Sequence, residues 1–514
     1  MKKINQLKVG SILSYIQMGL NIIIELLFTQ LMIKALGKSE YGLYNTVAST
    51  ISMLSILSLG FNSSYVRYFA KYKVKNDETN ISKLNGMFFL VFIFIGCIAL
   101  LCGIYISFNL KLIFKNGLSV SEYELARTLM LLLTLSLSFS FPMSVFGNII
   151  SANERFVFLK ITNMIKTILG PLLSMPLLLL GFRSVSFVVV TLFVSILADT
   201  LNLIYCVKII KTKFIFHDFE KGVFKDLFVY TSFIAINIIV DQINSNVDNI
   251  MLARFKGTKE VAVYAVGSRL YTAYVRFSSS VSGVFTPRIH KIVNSIKNPE
   301  KLRVELTELF IKVGRIQFYI LSLVATGIIF FGKTFIRYWA GEGFNNSYYV
   351  ALLLIIPGTI PLIQNLGIEI QRALNKHQFR SIAYLFMAVI NLSISYYLCQ
   401  IYGAVGSTIG TAFSLIIANG IIMNIFYYKK CYIDVISFWV NIFKASVGLI
   451  IPVIIGVLLT KIINISIYIY LLCIVFYTTI FLVSMYFFSM NRYEKDLVVG
   501  VLKKIGLTDT LVTC

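Results

Sequence analysis

Long apolar runs separated by short polar stretches occupy nearly the whole chain. Most runs reach about 20 residues, the length that an α-helix needs to cross a hydrocarbon core about 30 Å thick. The runs, numbered here as spans 1 to 14, lie near residues 11–33, 41–64, 84–107, 128–149, 158–180, 184–206, 227–252, 260–284, 313–331, 348–370, 381–400, 403–427, 436–460 and 464–489. The pattern predicts an all-α integral membrane protein with roughly fourteen transmembrane helices.

Composition agrees with this prediction. Hydrophobic residues make up 57% of the 514 residues and charged residues 14%, whereas soluble domains carry roughly 25% charged residues. So little charge cannot solvate the exterior of a soluble protein of this size, which excludes an ordinary cytosolic enzyme. The first apolar run is long and lacks a small-residue cleavage site, so we interpret it as a retained span rather than a signal peptide.

The charge balance is strongly basic, with 47 Lys and Arg against 23 Asp and Glu and a net charge of +24. These basic residues form small groups between apolar runs and no domain-sized polar face, which fits the positive-inside rule better than nucleic-acid binding. Most of them fall in inner loops if the N-terminus is cytoplasmic. An even number of spans then predicts that both termini are cytoplasmic.

Two segments of the chain repeat. ALGKSEYGLYNTVAS recurs as RFKGTKEVAVYAVGS 220 positions later, and further matches follow at an offset of 222. The matched pairs are Gly37 with Gly257, Glu40 with Glu260, Tyr44 with Tyr264, Asn153 with Asn375, and Gly181 with Gly403. Because each repeat holds six spans, an even number, the two are parallel repeats related by an axis along the membrane normal.

The repeat predicts three parts. Residues 1–215 form an N-lobe of spans 1–6, residues 216–430 form a C-lobe of spans 7–12, and residues 431–514 add spans 13 and 14 and a cytoplasmic tail. Substrate sites of transporters built in this way lie between the two halves. Duplication and packing without transport remain the alternative interpretation.

Polar residues follow one face of the leading span in each lobe. Their spacing of three or four residues places each group on one helical face, which we expect at a cleft between the lobes. These residues are Ser14, Gln17, Asn21 and Glu25 in span 1, and Asn237, Asp241, Asn244 and Asp248 in span 7. A carboxylate in the membrane needs a partner, water or a proton. Two interpretations therefore stand for Glu25 and Asp241: each binds a coupling H⁺ or Na⁺, or each forms an ion pair with a basic residue. For Asp248 we favour the ion pair.

Three of the basic residues that lie within spans are candidates for binding substrate. Arg269 and Arg276 share one face of span 8, and Lys166 lies in span 5. Since Arg binds phosphate oxygens through a planar fork of donors, these cations predict a site for an anionic headgroup. An internal ion pair, such as Arg269 with Asp241, is the alternative for each of them.

Span 10 contains Pro357, Gly358 and Pro361, which predict a bend that either gates a pathway or is static. Enzymatic motifs are missing, because the sequence has neither a Walker A pattern nor HExxH. The longest outer loop offers Glu122 and Glu124 in an ordinary turn-like setting. We therefore expect a transporter without catalytic residues, metal or cofactor, as opposed to a membrane glycosyltransferase or polymerase.

Two segments carry a family resemblance. DNIMLARFKGTKEVAVYAVGSRL at residues 248–270, and RALNKHQF followed by YGAVGSTIGTAFS at residues 402–414, resemble polysaccharide, or O-antigen type, flippases of the multidrug/oligosaccharidyl-lipid/polysaccharide exporter superfamily. The resemblance covers nearly the whole chain. It discriminates the superfamily better than the substrate.

The resemblance implies two six-helix lobes that alternate access in a bacterial cytoplasmic (inner) membrane. They would flip an undecaprenyl-diphosphate-linked oligosaccharide to the outer leaflet, among membrane lipids and in concert with polysaccharide assembly proteins. Arg269 and Lys166 match the role of holding the diphosphate and sugars. A lipid II flippase and a drug or cation antiporter are the alternatives. Lipid II flippases resemble one another in a pattern of arginines on spans 1 and 2, which this sequence does not have. Drug exporters of the superfamily usually have twelve spans.

Overall fold

The computed structural model describes residues 6–115, 117–219, 221–462 and 466–504, where it contains helices and connecting turns but no strand. The all-α prediction is confirmed for this part of the chain. The α-helices are α1 Gln6–Met53, α2 Phe61–Val74, α3 Glu78–Phe108, α4 Leu110–Phe114, α5 Val120–Ala152, α6 Phe156–Leu179, α7 Ser184–Tyr205, α8 Lys221–Lys256, α9 Thr258–Ser282, α10 Thr286–Ser295, α11 Pro299–Ala340, α12 Asn346–Ile363, α13 Leu366–Ala373, α14 His377–Leu415, α15 Met423–Lys430, α16 Val435–Ser446, α17 Ile450–Leu459, α18 Ile467–Phe488 and α19 Arg492–Lys504. Short 3₁₀ or π-helical segments lie at Leu54–Ser58, Cys206–Ile210, Gly283–Phe285, Glu342–Phe344, Ile416–Ile422 and Val447–Leu449.

Ten helical segments in the described ranges are long and apolar enough to cross a membrane. They are Leu13–Ser58, Glu78–Phe108, Val120–Ala152, Phe156–Leu179, Ser184–Ile210, Pro299–Ala340, Glu342–Ile363, His377–Lys430, Val435–Leu459 and Ile467–Phe488. The chain is therefore a multi-pass membrane protein.

Two of these segments are too long for one crossing. Leu13–Ser58 has 46 residues and His377–Lys430 has 54, and a straight helix of 46 residues would measure about 69 Å, more than twice the hydrocarbon thickness. Each contains one glycine with non-helical backbone, Gly37 (φ 74°, ψ 171°) and Gly403 (φ 58°, ψ −134°). These glycines divide the segments where the sequence separates spans 1 and 2 and spans 11 and 12.

Helices α8 and α9 cover predicted spans 7 and 8, but neither is among the ten apolar segments. Helix α9 carries Arg269 and Arg276 within its length, which lower its mean hydropathy. The predicted count of fourteen spans depends on these two helices and stays a prediction.

The chain forms two compact units. Unit 1 comprises Met1–Arg269 and Ser381–Thr411, and unit 2 comprises Leu270–Arg380 and Ala412–Cys514. The units follow spatial contacts, whereas the predicted lobes follow the repeat, so the lobe boundaries at 215 and 430 remain predictions.

Each unit has its own aromatic core. In unit 1, α1 packs against α6 and α8, and α3 packs against α5. Tyr65, Phe88 and Phe92 are buried between α2, α3 and α5. In unit 2, α11 packs against α12 and α16, and Phe331 of α11 packs with Tyr470 and Tyr477 of α18. Burial of such aromatic side chains contributes strongly to packing.

The two glycine pairs of the sequence repeat all have a positive φ angle. Gly37 and Gly257 have φ of 74° and 82°, and Gly181 and Gly403 have φ of 87° and 58°. Side chains with a Cβ rarely adopt this left-handed region. Glycine at all four positions therefore lets the chain turn sharply between consecutive helices.

Candidate functional site

Helices α1 and α9 are joined by an ion pair between Glu25 and Arg269. The Arg269 guanidinium donates from Nη1 to Oε1 of Glu25. The side chains are 36% exposed for Arg269 and 19% exposed for Glu25, so the pair remains accessible. The internal ion pair that the sequence left open for Arg269 is thus present with Glu25.

Two phenols lie within electrostatic range of the Arg269 guanidinium, those of Tyr41 and Tyr44 on α1. Tyr41 is 1% exposed, and its hydroxyl has no hydrogen-bond partner among the described residues. A buried hydroxyl costs free energy unless water or a ligand supplies a partner. The surroundings of Arg269 are therefore polar, with two phenols of α1 beside the Glu25 carboxylate.

The predicted polar face of span 7 contacts α14. Asn237 Oδ1 accepts from Ser381 Oγ at 3.1 Å, and Asn244 Oδ1 accepts from Asn391 Nδ2 at 3.2 Å. The sequence predicted that this face lies at a cleft between the lobes. Because α14 belongs to the same repeat as α8, these two contacts lie within one predicted lobe. Ser381 and Asn391 were not foreseen, although they are polar residues within an otherwise apolar span.

Asp248 is the buried end of this polar face, only 4% exposed. Its Oδ2 accepts from Tyr264 OH at 2.8 Å and from Thr411 Oγ1 at 3.3 Å. No Lys, Arg or His of the described ranges forms a salt bridge with it, which contradicts our expectation of an ion pair. The expectation is wrong because helical spacing within span 7 does not reveal that α14 supplies a neutral hydroxyl group here.

Thr411, one of the two partners of Asp248, continues a chain of hydrogen bonds into α14. Thr411 Oγ1 lies 3.3 Å from Asn391 Oδ1, which also accepts from Ser395 Oγ at 3.0 Å. Asn391, Ser395 and Thr411 are all buried. A buried carboxylate without a basic partner requires a proton or a bound cation. The Asp248 cluster has the composition of such a site.

The remaining predicted residues lie at separate places. Lys166 is exposed on α6 and interacts electrostatically with half-buried Asp199 of α7, a residue that the sequence analysis missed. Arg276 is half-buried and belongs to unit 2, whereas Arg269 belongs to unit 1. Gln17 and Asn21 are half-buried on α1. Asp241 lies on α8 between the contacts of Asn237 and Asn244.

The proline-rich part of span 10 remains helical. Pro357, Gly358 and Pro361 lie inside α12, which continues to Ile363 before the chain turns. Gly358 allows the ring of Tyr271 to pack closely, since a Cβ there would lie 2.6 Å from Tyr271 Cε2. The break in the helix therefore comes after the two prolines and not at them. The gating role of this segment stays a prediction.

The fold is similar to that of known membrane transporters. A lipid II flippase, MurJ in an inward closed conformation, has a TM-score of 0.68 at 18% identity, over 95% of this chain and 99% of that chain. An inward-facing multidrug resistance MATE family transporter of the MOP superfamily has a TM-score of 0.64 at 14% identity, over 78% and 92%. The MATE multidrug transporter DinF-BH has a TM-score of 0.60 at 15% identity, over 84% and 97%.

No curated protein matches the sequence. A family model does match it, that of polysaccharide biosynthesis proteins, over residues 7–293. This match covers more than half of the chain and includes Glu25, Asp248 and Arg269. The chain therefore belongs to the polysaccharide biosynthesis protein family and has the fold of the MurJ and MATE membrane proteins.

Proposed function

We propose that this protein flips an undecaprenyl-diphosphate-linked oligosaccharide from the cytoplasmic to the outer leaflet of a bacterial cytoplasmic membrane. The observation that carries the proposal is the accessible Glu25–Arg269 pair, formed by helices of the two repeats in a member of a polysaccharide biosynthesis family. Both termini are cytoplasmic in this proposal. Transport requires neither a cofactor nor a catalytic residue of the chain.

Arg269 binds the diphosphate. A guanidinium presents a planar fork of donors that fits phosphate oxygens and stays protonated at any physiological pH. Glu25 neutralises this cation while no substrate is bound, because an unpaired charge within a membrane is costly. The substrate then exchanges one anionic partner of Arg269 for another. Alternating access of the two repeats exposes this site to each side of the membrane in turn.

Asp248 binds the coupling ion, H⁺ or Na⁺. Its carboxylate accepts hydrogen bonds from Tyr264 and Thr411, the latter also bonded to Asn391, and it has no basic partner in the described ranges. Broken or polar helices near the membrane midplane supply such oxygens to Na⁺ or H⁺ in secondary transporters. An ion bound there biases one conformation over another through its different affinity for the two.

The test of flipping uses purified protein in liposomes with a fluorescent undecaprenyl-diphosphate oligosaccharide. We expect wild-type protein to translocate the lipid and Arg269→Ala to lose most of this activity. Arg337→Ala is the matched control, since Arg337 forms an exposed ion pair with Glu342 at 2.8 Å and should be dispensable. Unchanged transport by Arg269→Ala would refute the proposed role of this residue. Absence of lipid transport by wild type would refute the flippase.

The coupling proposal is tested in the same liposomes by imposing either a Na⁺ or a pH gradient. One of the two gradients should accelerate transport by wild type, and Asp248→Asn should abolish that acceleration. Thr411→Val should weaken it, because the variant removes one neighbouring oxygen of Asp248. A gradient response that survives Asp248→Asn would place ion coupling elsewhere.

Lipid II is the second candidate substrate, because the fold matches a lipid II flippase over 95% of this chain. A fluorescent lipid II and a cationic dye, offered separately in the same assay, distinguish the alternatives. Faster transport of lipid II than of the oligosaccharide lipid would favour the second candidate. Exchange of the dye alone would favour a drug antiporter.

A further inference from the structure

Glu122 lies in the first turn of helix α5, and its two carboxylate oxygens have different partners. Oε2 accepts from the backbone N–H and from Oγ of Ser119, both at 2.8 Å, which caps the helix. Oε1 accepts from Ser39 Oγ and from Thr258 Oγ1, both at 2.7 Å. The cap fixes the orientation of the carboxylate, and the helix N-terminus favours its charged form. Glu122 therefore presents a preoriented anion to two hydroxyl groups.

The two hydroxyls come from neighbouring but not matched positions of the sequence repeat, since at the offset of 220 Thr258 aligns with Lys38 and Ser39 aligns with Lys259. Ser39 follows Gly37, and Thr258 follows Gly257, each at the start of the helix beyond the turn. Their oxygens are 2.9 Å apart. A single carboxylate oxygen thus connects the first repeat to the second, within unit 1.

The backbones at this end approach each other closely. A Cβ on Gly42 would lie 1.8 Å from the carbonyl oxygen of Thr258, and a Cβ on Gly117 would lie 1.9 Å from that of Ala253. No side chain fits at either point. The glycine contacts and the Glu122 hydrogen bonds together close the repeats onto one another at this end.

An open cleft of about 570 Å³ adjoins the contact. Ser39, Glu122 and Thr258 line it together with the charged residues Arg183, Lys256 and Lys259. Water in such a polar cleft can replace the hydroxyl donors when the helices separate. The carboxylate is thus able to change partners without remaining unsatisfied.

We propose that Glu122 stabilises the closed state of the outer end of the two repeats. We call this end, where Ser39 and Thr258 meet, the outer gate, and Glu122 its latch. Its carboxylate holds Ser39 of the first repeat and Thr258 of the second together, and it releases both when the outer end opens. Charge-assisted hydrogen bonds of this kind are stronger than neutral ones. The assignment of this end to the outer side follows the predicted topology, and the gating role rests on the proposed alternating access. In that cycle, Glu122 is a positioning residue and does not bind substrate.

The test measures the distance between the two turns by double electron–electron resonance. Spin labels are placed at Ala35→Cys and Lys259→Cys, exposed positions beside the two repeat turns, in liposomes and in a background without native cysteines. We expect wild-type protein to populate mainly a short distance. Glu122→Gln and Glu122→Ala should raise the population of a longer distance about tenfold, the factor for a loss of roughly 1.4 kcal/mol.

Glu124→Gln is the matched control, because Glu124 is exposed and lies two residues further along the same helix. It should leave the distances unchanged. The double variant Ser39→Ala Thr258→Val should reproduce the Glu122→Gln shift, and adding Glu122→Gln to it should have no further effect. This double variant also tests the latch if Glu122→Ala does not fold.

The proposal is overturned if folded Glu122→Gln keeps the wild-type distances, or if its shift persists unchanged after both hydroxyls are removed. The distance needs no substrate, so the latch and the flippase can fail separately. A distance shift in a protein that moves no lipid would refute the proposed function and support the latch. Lipid transport by wild type together with unchanged distances in Glu122→Gln would support the proposed function and refute the latch.

Discussion

Glu260 accepts a hydrogen bond from the backbone N–H of Ala404 at 2.9 Å, and Glu40 accepts one from that of Ser184 at 2.8 Å. Both separations are 144 residues. Each N–H follows closely on a repeat glycine, Gly403 or Gly181, and each glutamate follows Gly257 or Gly37. The repeat therefore preserves a specific long-range contact as well as a sequence pattern.

The first prediction concerns this contact. Glu40→Ala and Glu260→Ala should each lower the free energy of unfolding by about 1–3 kcal/mol, since each leaves a backbone donor without its acceptor. Glutamine keeps an acceptor oxygen, so Glu40→Gln and Glu260→Gln should cost less. Thermal unfolding in detergent measures all four. A large effect at one site and none at the other would show that the repeat contacts are not energetically equivalent.

The second prediction concerns glycine packing. Gly42→Ala should destabilise the protein, because its Cβ would overlap the carbonyl oxygen of Thr258. Gly147→Ala is the control, since a Cβ there meets no atom within 4 Å. Alanine at that helical position should stabilise by up to about 1 kcal/mol. Melting temperatures that move in the same direction for both variants would contradict the prediction.

The third prediction concerns a buried ion pair of unit 2. Arg315 Nε and Nη2 donate to Glu494 at 2.6 and 2.8 Å, and the side chains are 7% and 3% exposed. Glu494→Ala should cost about 3–5 kcal/mol, because it leaves a buried guanidinium uncompensated. The double variant Arg315→Met Glu494→Leu should recover much of this loss. Glu342→Ala, in the exposed pair with Arg337, should cost less than about 1 kcal/mol.

The fourth prediction concerns the membrane ion pair. Glu25→Gln and Arg269→Gln should each destabilise the protein by about 1–2 kcal/mol, less than a fully buried pair would, because both side chains retain some exposure. The double variant should be more stable than the sum of the two losses predicts. Thermal unfolding of the complete double-mutant cycle measures this. Strict additivity would show that the two residues do not interact.

The fifth prediction concerns pH. Burial opposes ionisation of Asp434, but hydrogen bonds from the side chain and backbone of Ser437 outweigh it and hold the pKa of Asp434 below its ordinary value. This depressed pKa stabilises the folded state above the unfolded value of about 3.9, and the contribution disappears as the pH falls through the folded pKa. Asp434→Ala removes the N-cap of α16 and should cost about 1 kcal/mol at pH 7. In urea titrations, this difference should shrink below about pH 4.

Hydropathy was sufficient to predict the ten long apolar segments of the described ranges, because membrane crossing imposes a length and an apolar surface on each one. Spans 7 and 8 are not confirmed in this way, since α8 and α9 are not among the ten apolar segments of the described ranges. Spacing also identified Glu25 and Arg269 as polar residues within apolar helices. Their pairing joins positions 244 residues apart, which helical periodicity cannot relate.

The partners of Asp248 and Glu122 could not be inferred in the same way. Helical periodicity shows which residues share a face but not which neighbouring helix that face meets. Asp248 therefore received a basic partner in the prediction and has hydroxyl partners in the structure. Glu122 looked like an ordinary turn residue because Ser39 and Thr258 are each distant in sequence.

The Arg315–Glu494 pair has a consequence for biosynthesis. Its members are 179 residues apart, and Glu494 lies in the last helix of the described chain. At elongation rates of about 5–20 residues per second, Arg315 leaves the ribosome roughly 9–36 s before its partner. Span 9 must then enter the bilayer with a provisional counterion, water or lipid phosphate around its guanidinium. A nascent chain truncated before Glu494 would leave the Arg315 guanidinium without its carboxylate partner.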